Sequence, residues 1–276
     1  MKTIPPLALA NADLLRKADE EGRKACENLF ALQAKSGASC LTEQVETGRF
    51  PPEIEKIMRP LQNVERLEGL LLQTVSSLAL RARRGYRVLS NQRIRVTDAD
   101  RSLVASAPGA AMSDLRPPLA GTPVAYFEFD DVVFNEATGE AILVDVKRSL
   151  NDKERDFLAI KEASLSFDRL LGSRGKKSRL VVLRWYAKPR SLYGLDVATR
   201  ENVDTALKAP VRNAVETALN AYREGVNARL RDHIAESLSG SAVSAFDDVV
   251  NASPNVSFEE LRLILEGERQ NNWRRP

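Results

Sequence analysis

The sequence holds one histidine, His233, and two cysteines, Cys26 and Cys40. Neither a zinc cluster rich in Cys or His nor a disulfide framework can be assembled from that inventory, and it disfavours histidine-based nucleophilic catalysis. Two thiols in 276 residues suit a reducing compartment. Long apolar runs are missing as well. No window approaches the roughly 20 apolar residues that span a bilayer. The opening "MKTIPPLALANADLLRK" lacks the sustained apolar core of a signal peptide. These absences predict a cytoplasmic protein without membrane contact, signal-less secretion being the one route that leaves no trace in the sequence. The net charge is only +3, so charge by itself makes no case for a polyanionic partner. Any bound metal is expected to be a hard cation on carboxylates.

At 43% hydrophobic and 29% charged residues the chain is of globular composition, long enough for one large domain with appendages or for two. Residues 10–35 show helical spacing through Leu14, Leu15, Ala18, Cys26, Leu29, Phe30 and Leu32, ended by Ser36-Gly37. The prolines of "TGRFPPEIEKIMRP" (47–60) predict a linker with a short helix, which divides a helical N-terminal region (1–58) from a second domain (59–276). A long helix begins at Leu61, with an apolar face over Leu67, Leu70, Leu71, Val75, Leu78 and Leu80. Arg81, Arg83 and Arg84 crowd its last turn and Gly85 stops it. A strand at 86–96 with a turn at Ser90-Asn91, a surface excursion over 97–122 and a strand in "TPVAYFEFDDVVF" follow. A turn in "NEATGE" leads to a strand in "AILVDVKRS", a helix to about Leu171, a basic loop and a central strand at 178–187. One or two helices broken near Pro210 come next, then loop and a short helix at 258–266. The order predicts an α/β fold, a mixed sheet flanked by helices with helical additions at both ends.

Against this background "YFEFDDVVFNEATGEAILVDVKRS" (126–149) is anomalous, because ionised groups interrupt segments that otherwise read as buried strands. A buried carboxylate is costly unless a partner or a metal completes it. Asp145 and Lys147 are two apart and share one face of their strand. A hairpin loop of four residues (136–139) sets Asp130 opposite Asp145, whereas a loop of three (137–139) sets Asp131 there. Either way two carboxylates meet across roughly 5 Å with a lysine beside them. Such a pair repels unless a divalent cation lies between. Hard oxygen ligands and one lysine suit Mg²⁺, or Mn²⁺, and transfer of a phosphoryl group to water.

An E-F-D followed after 14 residues by D-V-K on a hairpin, with a long helix before it and a helix and strand after, resembles the PD-(D/E)XK nuclease superfamily. The resemblance covers about 61–190, and "ARRGYRVLSNQ" adds the helix, glycine, aromatic and strand entry seen in resolvase-like members. It implies a restriction-endonuclease-like α-β-β-β-α-β core and a metal-dependent hydrolase of phosphodiester bonds, most simply a deoxyribonuclease, endonuclease or exonuclease. Within that pattern Asp145 matches the second metal ligand and Lys147 the catalytic lysine. Asp130 matches the first ligand, with Asp131 the alternative. The superfamily often adds a Glu or Gln from the first helix, for which Glu68 and Gln73 are the candidates. Asp145 stands where Glu is commoner. The resemblance extends to toxins of bacterial competition, which need a cognate immunity protein, and equally to restriction, repair and mobile-element nucleases. A member that keeps the fold without catalysis, binding nucleic acid or a protein partner, is the rival expectation.

Other features carry less. Glu128 reads as a strand residue within reach of the same metal or facing solvent. Arg148, Lys153, Arg155 and Lys161 follow the motif, where a DNA backbone would pass, and read chiefly as a solvated helix face. "GSRGKKSR" (172–179) is a better phosphate contact. His233 reads as a surface residue, Cys26 and Cys40 as one buried and one exposed thiol, and Trp273 with Arg274 and Arg275 as a tail.

Overall fold

The structure, a computed structural model, describes residues 6–35, 52–117, 120–147, 154–172, 178–187 and 191–237. Its chain divides into two compact units, Met1–Ala18 with Leu72–Glu216, and Asp19–Leu71 with Thr217–Pro276. Described elements begin with α1 (Pro6–Lys35), α2 (Pro52–Ala82), β1 (Tyr86–Thr97) and α3 (Asp98–Ser106). Strands β2 (Pro123–Asn135) and β3 (Ala141–Lys147), helix α4 (Glu154–Gly172) and strand β4 (Ser178–Arg184) follow. The last are β5 (Ser191–Leu192), β6 (Leu195–Ala198), α5 (Val203–Leu207) and α6 (Val211–Ser237). No described helix is long and apolar enough to cross a membrane.

The first unit is a mixed sheet flanked by helices, with strand order β1-β2-β3-β4-β6-β5. Strands β1, β2 and β3 pair antiparallel, β3, β4 and β6 parallel, and the two-residue β5 lies antiparallel at the edge. Strand β3 is buried from Ala141 to Asp145, the pattern of a strand with neighbours on both sides and cover on its faces. Helix α4 packs on the sheet through Phe157, Ile160 and Ala163, against Phe129, Leu143, Val182 and Val197. Burying side chains of that size contributes about 2 kcal/mol each.

The β2–β3 hairpin takes the four-residue loop. Asn135 N–H donates to Glu140 O at 2.9 Å, Gly139 N–H to Asn135 O at 2.8 Å, and Gly139 adopts φ 68°. The Asn135 side chain accepts from Ala137 N–H at 3.0 Å, an Asx turn that favours this loop. Register is thereby fixed from Phe134–Ala141 to Asp131–Val144.

Several expectations are corrected. The short helix expected between the prolines is the start of α2, which runs on from Pro52 without a break at Pro60, while 47–51 lie outside the described residues. Pro52 opens the helix, where a missing N–H costs nothing. Strand β1 does not turn at Ser90-Asn91; it continues, with Asn91 at φ 54°. The excursion expected over 97–122 contains α3, whose capping box joins Thr97 and Asp100 reciprocally. Strands β5 and β6 are too short for periodicity to announce; Tyr193 and Gly194, at φ 52° and 71°, form their turn. A Cβ on Gly194 would lie 2.0 Å from Ala110 O, so the loop before β2 packs directly on this turn.

That packing is tied by Lys161. It is fully buried, and its ammonium donates to Pro108 O and Ala110 O at 2.7 Å and to Tyr193 O at 2.8 Å. All three protons are thus used, and burial holds its pKa below the ordinary lysine range. Lys161 is therefore structural and not a phosphate contact. Arg148, Lys153 and the loop at 173–177 lie outside the described residues.

In the second unit small residues let helices approach closely. A Cβ on Gly22 would lie 2.3 Å from Ala218 O, and one on Gly225 2.7 Å from Cys26 Sγ. Tyr222 donates to Val64 O at 3.0 Å. Cys26 is a buried free thiol, whereas Cys40, Trp273 and 258–266 lie outside the described residues, as does the side chain of His233.

Asp100 is fully buried under α4, bonded by Thr97, Ser166 and both terminal nitrogens of Arg169 (2.9 and 3.0 Å). Burial raises its pKa, but these donors outweigh it and hold the carboxyl below its ordinary range. Its ionised form therefore stabilises the fold above the ordinary aspartate pKa, and that stability is lost as pH falls through the lower folded value. Arg169→Leu strands the buried charge and is expected to cost about 3 kcal/mol in urea unfolding at pH 7. The difference from wild type should narrow in acid; an undiminished midpoint at pH 7 would refute the assignment.

Candidate active site

Where β2 and β3 part, four side chains flagged by the sequence converge. The register that pairs Asp131 with Val144 would next set Asp130 opposite Asp145. The ladder stops there, and Val146 N–H donates instead to Asp130 Oδ2 at 2.5 Å. A side-chain carboxylate has replaced a main-chain acceptor. The other oxygen, Oδ1, accepts from Gln73 Nε2 of α2 at 2.6 Å. On β1 the residue in line with Asp130, between the pairs Ser90–Asp131 and Gln92–Phe129, is Asn91, at φ 54°. Asn is the side chain that takes this left-handed conformation most readily after Gly.

Asp145 is fully buried. Neither of its oxygens accepts a hydrogen bond; Lys147 Nζ approaches Oδ1 at 2.9 Å as an ion pair, not an aligned hydrogen bond. Burial raises the Asp145 pKa to about 6, helped by the charge of Asp130 and opposed by that of Lys147. Burial likewise pushes Asp130 above the ordinary carboxylate range, against the pull of Val146 N–H, Lys147 and Gln73. Burial would lower Lys147, but the charges of Asp145, Asp130 and Asp156 outweigh it and the net direction is upward. The lysine keeps its charge, and its side chain is 42% exposed. Its ammonium lies 5.9 Å from the centroid of the Phe127 ring.

Asp131 goes elsewhere. Its Oδ1 accepts from Ser90 Oγ at 2.5 Å and Ser77 Oγ at 3.0 Å, so it ties β2 to α2 and β1. Glu68 belongs to the second unit, where its carboxylate accepts from Arg223 at 2.8 Å, both groups buried. Of the two helix candidates, Gln73 is the one bonded to Asp130. Glu128 is exposed and lies 3.8 Å from Arg93.

Two residues escaped the sequence reading. Asp156, in the first turn of α4, acts through its charge on both Asp145 and Lys147. An acid in a first helical turn is ordinary, so nothing marked it. Arg184 pairs with Lys147 across β3 and β4, is 2% exposed, and holds its guanidinium 5.5 Å from the Phe157 ring centroid. The argument that singled out Asp145, a charge within an apolar strand, would have singled out Arg184 too.

The donor set fits a hard divalent cation. Asp145 presents two buried oxygens without hydrogen-bond donors, beside a second carboxylate. Among the described residues no group of three His, Cys, Asp or Glu side chains assembles. Two carboxylates nevertheless match the habit of Mg²⁺, which keeps several waters. A cavity of about 710 Å³ lies elsewhere in the same unit, lined by Met112, Asp114, Asp168, Ser178, Arg179 and Asp196 among others, and not by Asp130, Asp145 or Lys147. The carboxylate site is the one read as chemical, because it brings two carboxylates and a lysine together with Asp145 fully buried. Comparison of the chain with protein-family models, curated proteins and solved structures gives no match.

The Asp145 shift has a thermodynamic sign. With a folded pKa above the unfolded value, the native state binds the extra proton, so metal-free stability falls as pH rises from about 4 to about 6. The difference from 3.8 corresponds to roughly 3 kcal/mol. Asp145→Asn should flatten this part of the stability profile, measured by urea unfolding in EDTA. An identical profile in the variant would remove Asp145 as its source.

Proposed function

We propose that the chain is a divalent-cation-dependent nuclease of the PD-(D/E)XK kind, hydrolysing phosphodiester bonds in nucleic acid, with DNA the first substrate to test. One observation carries the reading: Asp130, Asp145 and Lys147 meet where β2 and β3 part, with Asp145 buried and its oxygens lacking hydrogen-bond donors. Asp130 and Asp145 would hold Mg²⁺ or Mn²⁺, which when bound supplies a Lewis acid for the charge developing on the phosphate. Gln73 and Val146 N–H orient the Asp130 carboxylate. Lys147, charged and half exposed, is suited to hold the attacking water or to offset charge on the phosphate. The charges of Asp145, Asp130 and Asp156 keep it protonated, which favours the second role. A toxin with an immunity partner and a restriction or repair enzyme are both compatible with this chemistry.

One observation favours the second reading, a nuclease fold that binds nucleic acid without cutting it. Lys147 already lies 2.9 Å from Asp145, and an ion pair in place offsets part of the charge that a metal would otherwise neutralise.

Calorimetric titration with Mn²⁺ and nicking of supercoiled plasmid separate the two. The nuclease reading expects Mn²⁺ binding that Asp145→Asn abolishes. It also expects metal-dependent nicking that Asp145→Asn and Lys147→Ala each reduce by about a hundredfold or more. Intact plasmid and RNA in both metals, with no heat of binding, would leave the non-catalytic module.

A further inference from the structure

Between Arg81 and Thr97 the chain carries six arginines, no lysine and no acid, whereas the whole protein has a net charge of only +3. All six (Arg81, Arg83, Arg84, Arg87, Arg93 and Arg95) are exposed. They run from the last turn of α2 along β1, the edge strand of the sheet. Two acids meet them from β2 and its turn: Glu136 at 2.5 Å from Arg87 and Glu128 at 3.8 Å from Arg93.

An aromatic ring stands among these cations. Tyr126 is 59% exposed, pairs with Arg95 across β1 and β2, and has the guanidiniums of Arg93 and Arg95 at 5.6 and 6.0 Å from its centroid. Two guanidiniums at one exposed ring repel each other, and Glu128 offsets only one of them. A partner with regularly spaced negative charge would relieve that repulsion. Val124 and Leu89, 45% and 59% exposed, add apolar surface on the same two strands. Tyr126 stands four residues before Asp130 on β2, about 13 Å at strand spacing.

We propose that this arginine-lined face of β1 and β2 binds a single-stranded stretch of nucleic acid, with one base stacked on Tyr126 and phosphates held by Arg93 and Arg95. Arginine suits the task because its planar fork meets phosphate oxygens in pairs. Tyrosine suits it because an unpaired base offers a face for stacking, which a duplex does not. The proposal deepens the nuclease reading and rests on it for where the strand leads, to the carboxylates where β2 parts from β3.

Anisotropy of a fluorescent single-stranded oligodeoxynucleotide, measured in EDTA across a salt series, tests it on the full chain. The double variant Arg93→Ala/Arg95→Ala is expected to bind about tenfold more weakly, with its log–log salt slope reduced by about 1.4 for two lost phosphate contacts. Tyr126→Ala should weaken single-strand binding roughly tenfold with the slope unchanged, and Tyr126→Trp should retain it. A matching duplex should not respond to Tyr126→Ala. Wild-type affinity in both alanine variants, or an unaltered slope in the double variant, would overturn the proposal. Its failure is distinct from that of the nuclease reading. Plasmid nicking with surface variants that bind like wild type sinks this surface alone; strand binding lost in the variants, without nicking by wild type in any metal, upholds the surface and sinks the nuclease.

Discussion

The bond from Val146 N–H to Asp130 is the constraint on which the site depends. In a continuous antiparallel ladder that N–H would meet a main-chain carbonyl of β2. Giving it to a carboxylate ends the pairing beyond Asp131–Val144. It also fixes the Asp130 side chain beside Asp145, with Gln73 holding the remaining oxygen. The left-handed Asn91 lies in line with this point on the far side of β2, so both strands depart from regular geometry together. Such departures cost of order 1 kcal/mol each and persist only where the surroundings enforce them. Here the surroundings are the parallel pairing of β3 with β4 and the cover of α4.

The unit treats its buried charges in two contrasting ways. Asp100 and Lys161 are completed by donors or acceptors from the protein itself, and each joins segments far apart in sequence. Asp145 has only a lysine, poorly aligned. In a low-dielectric interior an incomplete network is costlier than none, so the fully satisfied sites account for stability and Asp145 requires another explanation. The directions of the pKa shifts agree: Asp100 is drawn down by its donors, whereas burial drives Asp145 up to about 6 against the pull of Lys147.

What the sequence made legible follows from the same physics. The cost of burying a charge singled out Asp130, Asp145 and Lys147, and alternation of strand faces related Asp145 to Lys147. The choice between Asp130 and Asp131 was not legible, because it hangs on whether the loop has three or four residues. The Asn135 side-chain turn decides that. The helix at 98–106 was legible in principle, since Thr97 and Asp100 form a capping box that the Ala, Ser and Pro content obscured. Lys161 was misread because nothing local separates a solvated helix lysine from one that meets three carbonyls distant in sequence. The two-unit division was illegible for the same reason, because it joins 19–71 with 217–276 through close helix packing at Gly22 and Gly225.

Charge on an exposed edge strand has an ordinary explanation, namely that it discourages pairing with a second copy. That explanation accounts for the presence of charge on β1 but not for its kind. Lysine serves the purpose best, being strongly hydrated and long, yet the stretch from Arg81 to Thr97 contains none. Protection of an edge also gives no reason to expose Tyr126 and Leu89, since exposed apolar surface works against it. Arginine with an aromatic platform is a combination for recognition: the guanidinium is weakly hydrated, planar and able to stack or fork. The remaining difficulty is the ion pairs to Glu128 and Glu136, which reduce the field. Both involve exposed groups, where such pairs contribute at most about 1 kcal/mol, so a phosphate can displace them. The same weakness that makes them poor stabilisers makes them exchangeable, as the proposed strand-binding surface requires.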